Sequence, residues 1–324
     1  MIDEQKIQAI AAHLFDTVKG DLKNLVDEKD RPHLAHYSSI DTLDKILKGR
    51  NVLLSNPLYM NDLHELTLGM RQANDLLFNT ANFKNCLGGE DRFNIFRASY
   101  FSYLQDFESK YLLDIYIFCV SEHEPDDDDG RLSMWRAYGA NGNGAAIVFN
   151  TGLVEKNVDS PLLFMKIKYL SPRERTEWTL RLIRSLCEVL ERVVVADEEI
   201  PTLAYHLFAF FKLAALATKH SGFAEEQEWR IIYMPERDRD SIYRNKFAYA
   251  VGRHGIEPKL SLEFKPLPDA KTDWKIQDVV AKILLGPTAN RPLAESSVKR
   301  MLELNGLDEL KDRVRSSTIP LRPS

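Results

Sequence analysis

Three consecutive residues, His36-Tyr37-Ser38, follow the short apolar run HLA and have the chemistry to bind a sugar and an amide. A histidine at the end of a strand can point its ring into a cleft, where a ring nitrogen hydrogen-bonds a sugar hydroxyl. The hydroxyl of Ser38 and the backbone of the triplet offer donors and acceptors for a carboxamide. A structural histidine that caps a turn is the alternative for His36, and the triplet by itself favours that alternative.

A second group lies in the segment FAEEQEWRIIYMP, where carboxylates stand directly before an apolar, β-rich run. Glu228 is the last acid before that run, and Glu226 stands two residues earlier. Because side chains alternate along a strand, residues 226, 228 and 230 share one face if the strand begins that early. The pattern fits a catalytic carboxylate, and it also fits a solvated acidic face in which Glu228 pairs with Arg230.

A third group lies in LSMWRAYG, which is typical of a short helix. Trp135 and Tyr138 are three residues apart and therefore share a helix face, and Ser133 is near them. Aromatic faces bind flat, positively charged rings by stacking and by cation–π attraction. Core packing accounts for the same face equally well, and each interpretation can hold for a different residue.

The turn SNPLYMNDLHE adds polar side chains after the strand that follows the histidine strand. Ser55 is expected to border the same region as His36. Asn-Pro and Asn-Asp are turn formers, so turn chemistry is the preferred interpretation of Asn56. For three further residues, a turn role and a site role stay equally open: Tyr59, Asn61 and Asp62.

The elements that must position these groups alternate between helical and strand patterns. Apolar residues recur at helical spacing in IDTLDKILKG, and Gly49 stands where a C-terminal cap is expected. Other helices are predicted over 2–25, 62–80, 91–109, most of 172–219, and 292–305. Strands are predicted in HLAHYSS, NVLLSN, YLLDIYIFCVSE, GAAIVFN, LLFMKIKYL, EWRIIYMP, KFAYAVG, LSLEFKP and VVAKILLG.

Strands occur on both sides of the helical segment 172–219. This arrangement predicts a single β-containing domain over residues 1–324 with a helical insertion at about 172–219. Within the insertion, the very apolar stretch 203–218 is expected to be a buried helix rather than an exposed partner-binding face. GAAIVFN and LLFMKIKYL, which are neighbours in the sequence, are expected to pair.

The run HYSS with the following LDKILKGRNVLLS resembles the opening of the ADP-ribosyltransferase superfamily. There a strand ends in a His-containing triplet, and a helix ending Ile-Leu-x-x-Gly and a second strand follow, as in poly-ADP-ribose polymerases, the toxin DarT and RNA 2′-phosphotransferases. Glu226-Gln227-Glu228 is similar to the Glu/Gln-x-Glu pair of bacterial members. The resemblance implies an α+β fold with split antiparallel β-sheets around an NAD cleft, a helical N-terminus and a helical insertion.

The same resemblance implies that NAD is the substrate. His36 would hold the adenine-side ribose, the residues after it would hold the nicotinamide amide, and the aromatic helix would cover the nicotinamide ring. Tyr37 stands where polymerase-type members have glycine, so its side chain is expected to crowd the nicotinamide pocket. The NAD-binding residues implied are His36, Tyr37, Ser38, Ser55, Ser133, Trp135 and Tyr138, and the catalytic carboxylates are Glu228 and Glu226.

Cleavage of the nicotinamide–ribose bond creates positive charge at the anomeric carbon, as in glycoside hydrolysis. A carboxylate on the ribose 2′-hydroxyl stabilises that charge as it develops. ADP-ribose would pass to a protein, a nucleic acid or a small molecule, or to water in an NAD glycohydrolase. A bacterial toxin or phage-defence effector is the role that such an activity suggests. The alternatives are a non-catalytic nucleotide- or partner-binding module of the same fold, and an RNA 2′-phosphotransferase. The latter needs several basic residues around the phosphate, and although Arg31 lies near His36 the sequence shows no convincing set of arginines.

The whole chain also resembles a widespread bacterial family whose function is unknown. The family pattern contains Tyr/His-Tyr-x-Ser, Leu-Ser-x-Pro-x-x-x-Asn-Asp, Met-Trp-x-x-Tyr and Glu-Trp-Arg. In this sequence the matching stretches are His36–Ser39, Leu54–Asp62, Met134–Tyr138 and Glu228–Arg230. This resemblance implies a shared fold and supplies no activity.

Length, net charge and hydrophobic content indicate which class of protein the chain belongs to. The chain has 324 residues, a net charge of −5 and 44% hydrophobic residues, which suits a globular domain without general attraction to nucleic acid or membranes. No apolar run approaches the roughly 18 residues of a membrane span, and the acidic amphipathic start is unlike a signal peptide. We therefore expect a cytoplasmic protein that does not bind membranes; its oligomeric state does not follow from the sequence.

The cysteines and the acidic run do not match a metal-binding motif. The three cysteines, Cys86, Cys119 and Cys187, are widely spaced and form neither a disulfide framework nor a zinc motif. Cys119 lies in an apolar run and is expected to be buried. The acidic run Asp126–Asp129 matches no EF-hand and is expected to be a solvated, mobile loop. No metal is therefore expected.

Overall fold

The computed structural model of the chain falls into two compact units. The helical unit comprises Met1–Leu25, Asn56–Ile115 and Met165–Ala224, and the sheet unit comprises Val26–Ser55, Tyr116–Phe164 and Glu225–Ser324. The residues that the structure describes are 6, 7, 9, 10, 12–14, 31–60, 63–153, 160–252, 255–265, 275–287 and 291–321.

Strands and helices are interspersed along the described part of the chain. The strands are β1 (His33–Ser38), β2 (Asn51–Ser55), β3 (Tyr116–His123), β4 (Ala145–Asn150), β5 (Leu162–Lys166), β6 (Lys168–Leu170), β7 (Thr218–His220), β8 (Glu228–Tyr233), β9 (Phe247–Gly252), β10 (Gly255–Glu263), β11 (Val280–Leu285) and β12 (Val314–Ser316). The helices are α1 (Ile40–Gly49), α2 (Leu63–Asn79), α3 (Ala81–Cys86), α4 (Glu90–Asp106), α5 (Leu132–Ala137), α6 (Pro172–Leu190), α7 (Ile200–Leu216), α8 (Ile276–Val279) and α9 (Arg291–Leu304).

The sheet unit is built on a mixed β-sheet. Its strands follow the spatial order β12-β11-β4-β1-β3-β2-β10-β9, and β8 pairs with β3 and with β5. β11 and β12 are parallel, whereas β1 runs antiparallel to both β3 and β4. β3 is also antiparallel to β8 and to β2. A mixed α/β composition is therefore confirmed.

The sheet divides at β3. Along one edge of β3, β8 pairs continuously, from Tyr233 opposite Tyr116 to Glu228 opposite Ser121. Along the other edge, β1 pairs with residues 121–123 and β2 pairs with Ile117. β1 and β2 thus diverge along residues 118–120 of β3. We call this divergence the sheet split.

The two faces of the sheet carry different apolar clusters. One cluster contains Leu34, Val52 and Phe118 and packs against Leu43, Ile46 and Leu47 of α1. The cluster on the opposite face is smaller and consists of Ala35, Tyr37, Met134, Trp135, Ala146, Val148 and Leu284. We call the two sides the α1 face and the Trp135 face.

Helix α1 has the bounds that the apolar spacing predicts. It begins after Ser39, whose Oγ accepts a hydrogen bond from the backbone N–H of Thr42 at 3.1 Å. Only the cap residue differs from the prediction, because Gly49 is the last helical residue and Arg50 takes the left-handed conformation with φ 50°. A Cβ on Gly49 would lie 2.5 Å from Oδ1 of Asn51, so a larger residue there requires the Asn51 side chain to move.

The helical unit has α7 at its centre. This helix is buried along most of its length and packs against α2 and α4 of the same unit. The burial of stretch 203–218 is therefore confirmed. The preceding long helix, α6, begins with a capping box between Ser171 and Glu174 and with Pro172 in its first turn.

The predicted pairing of GAAIVFN with LLFMKIKYL is wrong. β4 lies between β1 and β11, and residues 162–170 form two short strands, β5 beside β8 and β6 beside β7. Strand order in the sheet is set by long-range packing, which adjacency in the sequence does not reveal. Among the helices that the structure describes, none combines the length and the apolar character needed to cross a membrane.

Candidate functional site

The ring of His36 lies at the sheet split. Its Nδ1 is 3.0 Å from the carbonyl oxygen of Cys119, one of the β3 residues at the split, and its ring packs on Phe118 with centroids 4.4 Å apart. A carbonyl only accepts, so Nδ1 must be the donor, and the neutral ring then presents Nε2 as an acceptor. Burial lowers the pKa of His36, which the Cys119 hydrogen bond partly offsets. The geometry thus favours a neutral imidazole with a fixed tautomer.

Strand alternation separates His36 from Tyr37. His36 and Ser38 lie on the α1 face, opposite Ile147 and Ala145 of β4. Tyr37 lies on the Trp135 face, where its ring meets that of Trp135 edge-on, with centroids 4.9 Å apart. The Tyr37 hydroxyl accepts a hydrogen bond from the backbone N–H of Arg131 at 3.0 Å. The side chain of Tyr37 is therefore part of a core.

Trp135 is a core residue as well. Its side chain is fully buried, and its Nε1 donates to the backbone carbonyl of Asp129 at 2.8 Å. Of the two interpretations that the sequence left open for this helix face, core packing describes Trp135. Tyr138 differs, because it is exposed and its hydroxyl donates to Oε1 of Glu226 at 2.9 Å. Ser133 is half-buried in the first turn of α5.

Glu228 begins β8 and forms an ion pair with Arg230 on the same side of the strand. Nε of Arg230 lies 2.5 Å from Oε1 of Glu228, and Nη2 lies 3.3 Å from Oε2. Both side chains are buried. The ion pair that the sequence allowed is thus present, but it is buried and not solvated. It fixes the direction of the carboxylate.

The turn that leads into Glu228 is held by Arg131, which sequence reasoning missed. Its Nη1 donates to the carbonyl of Glu225 at 2.9 Å, and its Nη2 contacts Oε1 of Gln227. Gln227 has φ 42°, a left-handed conformation that a residue other than glycine adopts only where its surroundings impose it. Ser121 of β3 adds a hydrogen bond from its Oγ to the carbonyl of Glu226. Arg131 and Ser121 therefore hold the turn from which both carboxylates project.

The strand register brings the backbone of Glu228 near that of His36. Glu228 lies opposite Ser121, and Ser121 lies opposite Ala35, the neighbour of His36. Adjacent strands are about 4.8 Å apart, so the backbones of Glu228 and Ala35 are about 10 Å apart. Tyr138 lies near the start of β8, because its hydroxyl donates a hydrogen bond to Oε1 of Glu226. The backbones of His36 and Glu228 thus lie in one part of the sheet unit, but their side chains start from opposite faces: Glu228 is on the Trp135 face with Ala35, and His36 is on the α1 face.

Ser55 lies on the other side of the sheet split. It ends β2 opposite Ile117, and its Oγ accepts a hydrogen bond from Nζ of Lys259 at 2.9 Å. Lys259 also pairs with Glu257 at 3.0 Å, and both of these side chains are buried. Ser55 therefore borders the split as the sequence predicts, and it does so together with a lysine that no sequence motif indicated.

The polar turn after β2 is described in part. Asn56 is fully buried; its Oδ1 accepts from the N–H of Leu58, and its Nδ2 donates to the carbonyls of Leu112 and Ile115. The turn role of Asn56 is thus confirmed. Tyr59 is half-buried. Asn61 and Asp62 lie outside the described residues.

The acidic run is held in place, which corrects the expectation of a mobile loop. The Asp127 carboxylate accepts from the N–H groups of Asp129 and Gly130, and Asp128 pairs with Lys282 at 2.5 Å. Asp129 accepts from the Thr318 hydroxyl at 3.1 Å. The loop therefore supports the segment that leads into Arg131. Within the described part of the chain, no three His, Cys, Asp or Glu side chains are arranged to hold a metal ion.

Two histidines face each other beside this loop and make stability depend on pH. His33 of β1 lies opposite His123 of β3, and Nε2 of His123 is 2.9 Å from the Asp127 carbonyl. Burial, and then the charge of Lys282, lower the pKa of His33. Burial also lowers the pKa of His123, with further contributions from Lys282 and His33, against the opposing effect of Asp127.

Because both folded-state pKa values are lowered, the neutral rings are favoured and the unfolded chain binds more protons below about pH 6.5. We expect this contribution to the free energy of unfolding to be fully present above that pH and to be lost as the pH falls below it, through the lowered folded-state pKa values. Denaturant titrations at each pH measure the effect. His123→Gln should flatten the slope, and His220→Gln, at an exposed position of the helical unit, should leave it unchanged. An unaltered slope in His123→Gln would contradict the assignment.

Comparison with known proteins identifies one segment. Residues 134–231 match a family described as "Protein of unknown function (DUF2971)". The matched segment includes Met134–Tyr138 and Glu228–Arg230, two of the four stretches that resemble a widespread bacterial family. Searches among curated proteins and among solved structures gave no match.

Proposed function

We propose that the chain is an NAD-dependent ADP-ribosyltransferase whose substrate binds at the sheet split. The observation that carries the proposal is the position of His36, whose ring hydrogen-bonds β3 where β1 and β2 diverge. Glu228 begins the strand on the other edge of β3, with its side chain on the Trp135 face. The ADP-ribosyltransferase resemblance implies split antiparallel sheets around an NAD cleft. A strand–helix–strand unit that diverges along one edge of β3 is consistent with that architecture.

His36 binds a ribose in this proposal. With Nδ1 donating to Cys119, Nε2 accepts a hydrogen bond from a ribose hydroxyl, which is a donor. β1 continues to Ser38, but its pairing with β3 stops at Ala35. Along residues 36–38, the edge of β1 that faces the split is therefore not paired with β3. Backbone groups of residues 36–38 on that edge suit the nicotinamide carboxamide, which has both a donor and an acceptor. Ser38 and Ser55 flank the amide.

Glu228 stabilises the reacting ribose. As the nicotinamide–ribose bond breaks, its electron pair leaves with neutral nicotinamide and positive charge develops on the anomeric carbon. A carboxylate hydrogen-bonded to the 2′-hydroxyl lowers the energy of that state. The ion pair with Arg230 and the turn held by Arg131 fix the carboxylate before substrate binds, so little reorganisation is needed during the reaction.

Tyr138 is the aromatic residue proposed to cover the nicotinamide ring. It is exposed, and its contact with Glu226 places it at the start of the carboxylate turn. Stacking against a cationic pyridinium ring gives roughly 0.5–2 kcal/mol. Glu226, held by the same contact, lies where it can orient an incoming acceptor. The acceptor is a protein, a nucleic acid, a small molecule or water, and a bacterial toxin or phage-defence effector acting in the cytoplasm is the proposed role.

The second candidate function is a binding module of the same fold without catalysis. The buried ion pair between Glu228 and Arg230 favours it, since a carboxylate committed to a structural pair has no need to act on a substrate. The two candidates share NAD or a related nucleotide as ligand and differ in turnover. Binding is therefore the step to test first, because it needs no acceptor.

Hydrogen exchange with carba-NAD, which cannot be cleaved, tests the binding site. We expect ligand-dependent protection in residues 36–38, 117–121 and 225–230, with no change in α9. His36→Ala should weaken binding about fivefold, the equivalent of one hydrogen bond of about 1 kcal/mol. His220→Ala is the matched control. Protection confined to other segments, or none at millimolar ligand, would overturn the placement of NAD at the sheet split.

A further inference from the structure

Two cysteines that are far apart in the sequence meet inside the helical unit. Cys86 is the last residue of α3, and Cys187 lies on the buried side of α6 beside Ile183, Leu186 and Leu190. Helices α3 and α6 pack against each other. The third cysteine, Cys119, belongs to the sheet unit. Both thiols of the pair are reduced in this structure.

The two thiols are in hydrogen-bond contact and differ in exposure. The side chains of Cys86 and Cys187 share a hydrogen bond. Cys187 is buried, whereas Cys86 is half-exposed. Burial, followed by the contact with Cys86, raises the pKa of Cys187. Because Cys86 is the more exposed thiol, it meets a dissolved oxidant first, and Cys187 beside it is placed to react next.

We propose that Cys86 and Cys187 form an oxidisable dithiol that closes to a disulfide between α3 and α6 in the presence of a peroxide. The Cys86 thiolate attacks one peroxide oxygen, giving the sulfenic acid Cys86–SOH and releasing water. The Cys187 sulfur then attacks the sulfenic sulfur, forming the S–S bond and releasing a second water. Two thiols lose two electrons and two protons to one hydrogen peroxide, so the step is balanced. A cellular thiol such as glutathione reverses it.

The disulfide would crosslink α3 and α6 within the helical unit. It closes a loop that includes α4, and a crosslink across a long loop restricts the unfolded chain more than the folded one. Oxidation should therefore raise the temperature at which the helical unit unfolds. The proposal is independent of NAD and assigns a function to cysteines whose spacing in the sequence indicated none.

Peptide mapping of the full-length protein tests the pair. The reduced protein is treated with equimolar hydrogen peroxide, alkylated, digested without reductant and analysed by mass spectrometry. We expect a peptide crosslinked between Cys86 and Cys187, with Cys119 recovered alkylated. Oxidation should raise the midpoint of thermal unfolding by several degrees in the wild type and in Cys119→Ser, and not in Cys86→Ser or Cys187→Ser.

The crosslinked peptide is measured in the wild type, so the test stands even if a serine variant folds poorly. Three results would overturn the proposal: Cys86 converted to sulfinic acid with Cys187 still alkylated, a disulfide between two chains through Cys86, or Cys119 oxidised before the pair. Recovery of all three cysteines as alkylated thiols would do the same.

Discussion

Replacing Glu228 by glutamine is expected to reduce nicotinamide release from NAD by about 100- to 1,000-fold while NAD affinity changes only a few-fold. Glutamine keeps the size of the side chain and removes the charge. The charge matters most when the anomeric carbon becomes positive, so the loss falls on the reaction and not on binding. Nicotinamide release, followed by chromatography, and calorimetric titration with carba-NAD measure the two quantities separately.

The same substitution is expected to lower stability, because Arg230 then keeps its charge in a buried place without a carboxylate. Breaking such a pair typically costs about 3–5 kcal/mol. The activity comparison therefore uses temperatures at which denaturation curves show the variant to be folded. Glu225→Gln, which alters an exposed acid in the same turn, is the matched control and should release nicotinamide like the wild type. A folded Glu228→Gln protein with wild-type release would assign Glu228 to the ion pair alone.

Trp135→Ala is expected to destabilise the sheet unit by about 3–5 kcal/mol, the range for removal of a fully buried large aromatic side chain. The indole fills the cluster on the Trp135 face, meets Tyr37 edge-on and donates to the Asp129 carbonyl. Trp135→Phe keeps a ring but removes the Nε1 donor, so it should cost less than Trp135→Ala. Urea titrations followed by circular dichroism measure the loss.

Tyr138→Ala provides the contrast, since the tyrosine is exposed on the same short helix. It should leave the urea midpoint nearly unchanged and weaken the binding of carba-NAD. The assignment of the two aromatic residues to core and ligand would be wrong if Tyr138→Ala lost stability and Trp135→Ala did not.

Local patterns were enough to predict most elements. The helical spacing in IDTLDKILKG gives α1 its observed bounds, and the β-rich runs around Cys119 and Ile231 give β3 and β8. These signals lie within the segment that forms the element. The prediction of Gly49 as the C-terminal cap of α1 was wrong, because Arg50 takes the left-handed conformation that turns the chain.

The candidate site depends on contacts that local patterns do not contain. The sequence could place Glu228 and Arg230 on one face, but their burial depends on the packing around the sheet. Arg131 reaches a turn about ninety residues later in the chain, and nothing around it in the sequence marks that partner. The Asp126–Asp129 run looks solvated in the sequence because its partners, Lys282 and Thr318, come from the C-terminal part of the chain.

The opposite orientations of His36 and Tyr37 follow from strand alternation, yet their consequence was not predicted. The sequence suggested that Tyr37 would crowd a nicotinamide pocket. Its side chain instead joins Trp135, and the His36 ring occupies the split. Which face of β1 meets which cluster depends on the register between β1 and β4, and that register is set by tertiary packing.

Release of nicotinamide from NAD by the wild-type protein, beside folded Glu228→Gln, tests the central claim most directly. The assay includes a bacterial lysate as a source of acceptors and radiolabelled NAD to detect transferred ADP-ribose. The account predicts release by the wild type, with label on an acceptor or in free ADP-ribose, and loss of both in Glu228→Gln. Equal release by the two proteins, or no release by wild-type protein that binds carba-NAD at the sheet split, would contradict it.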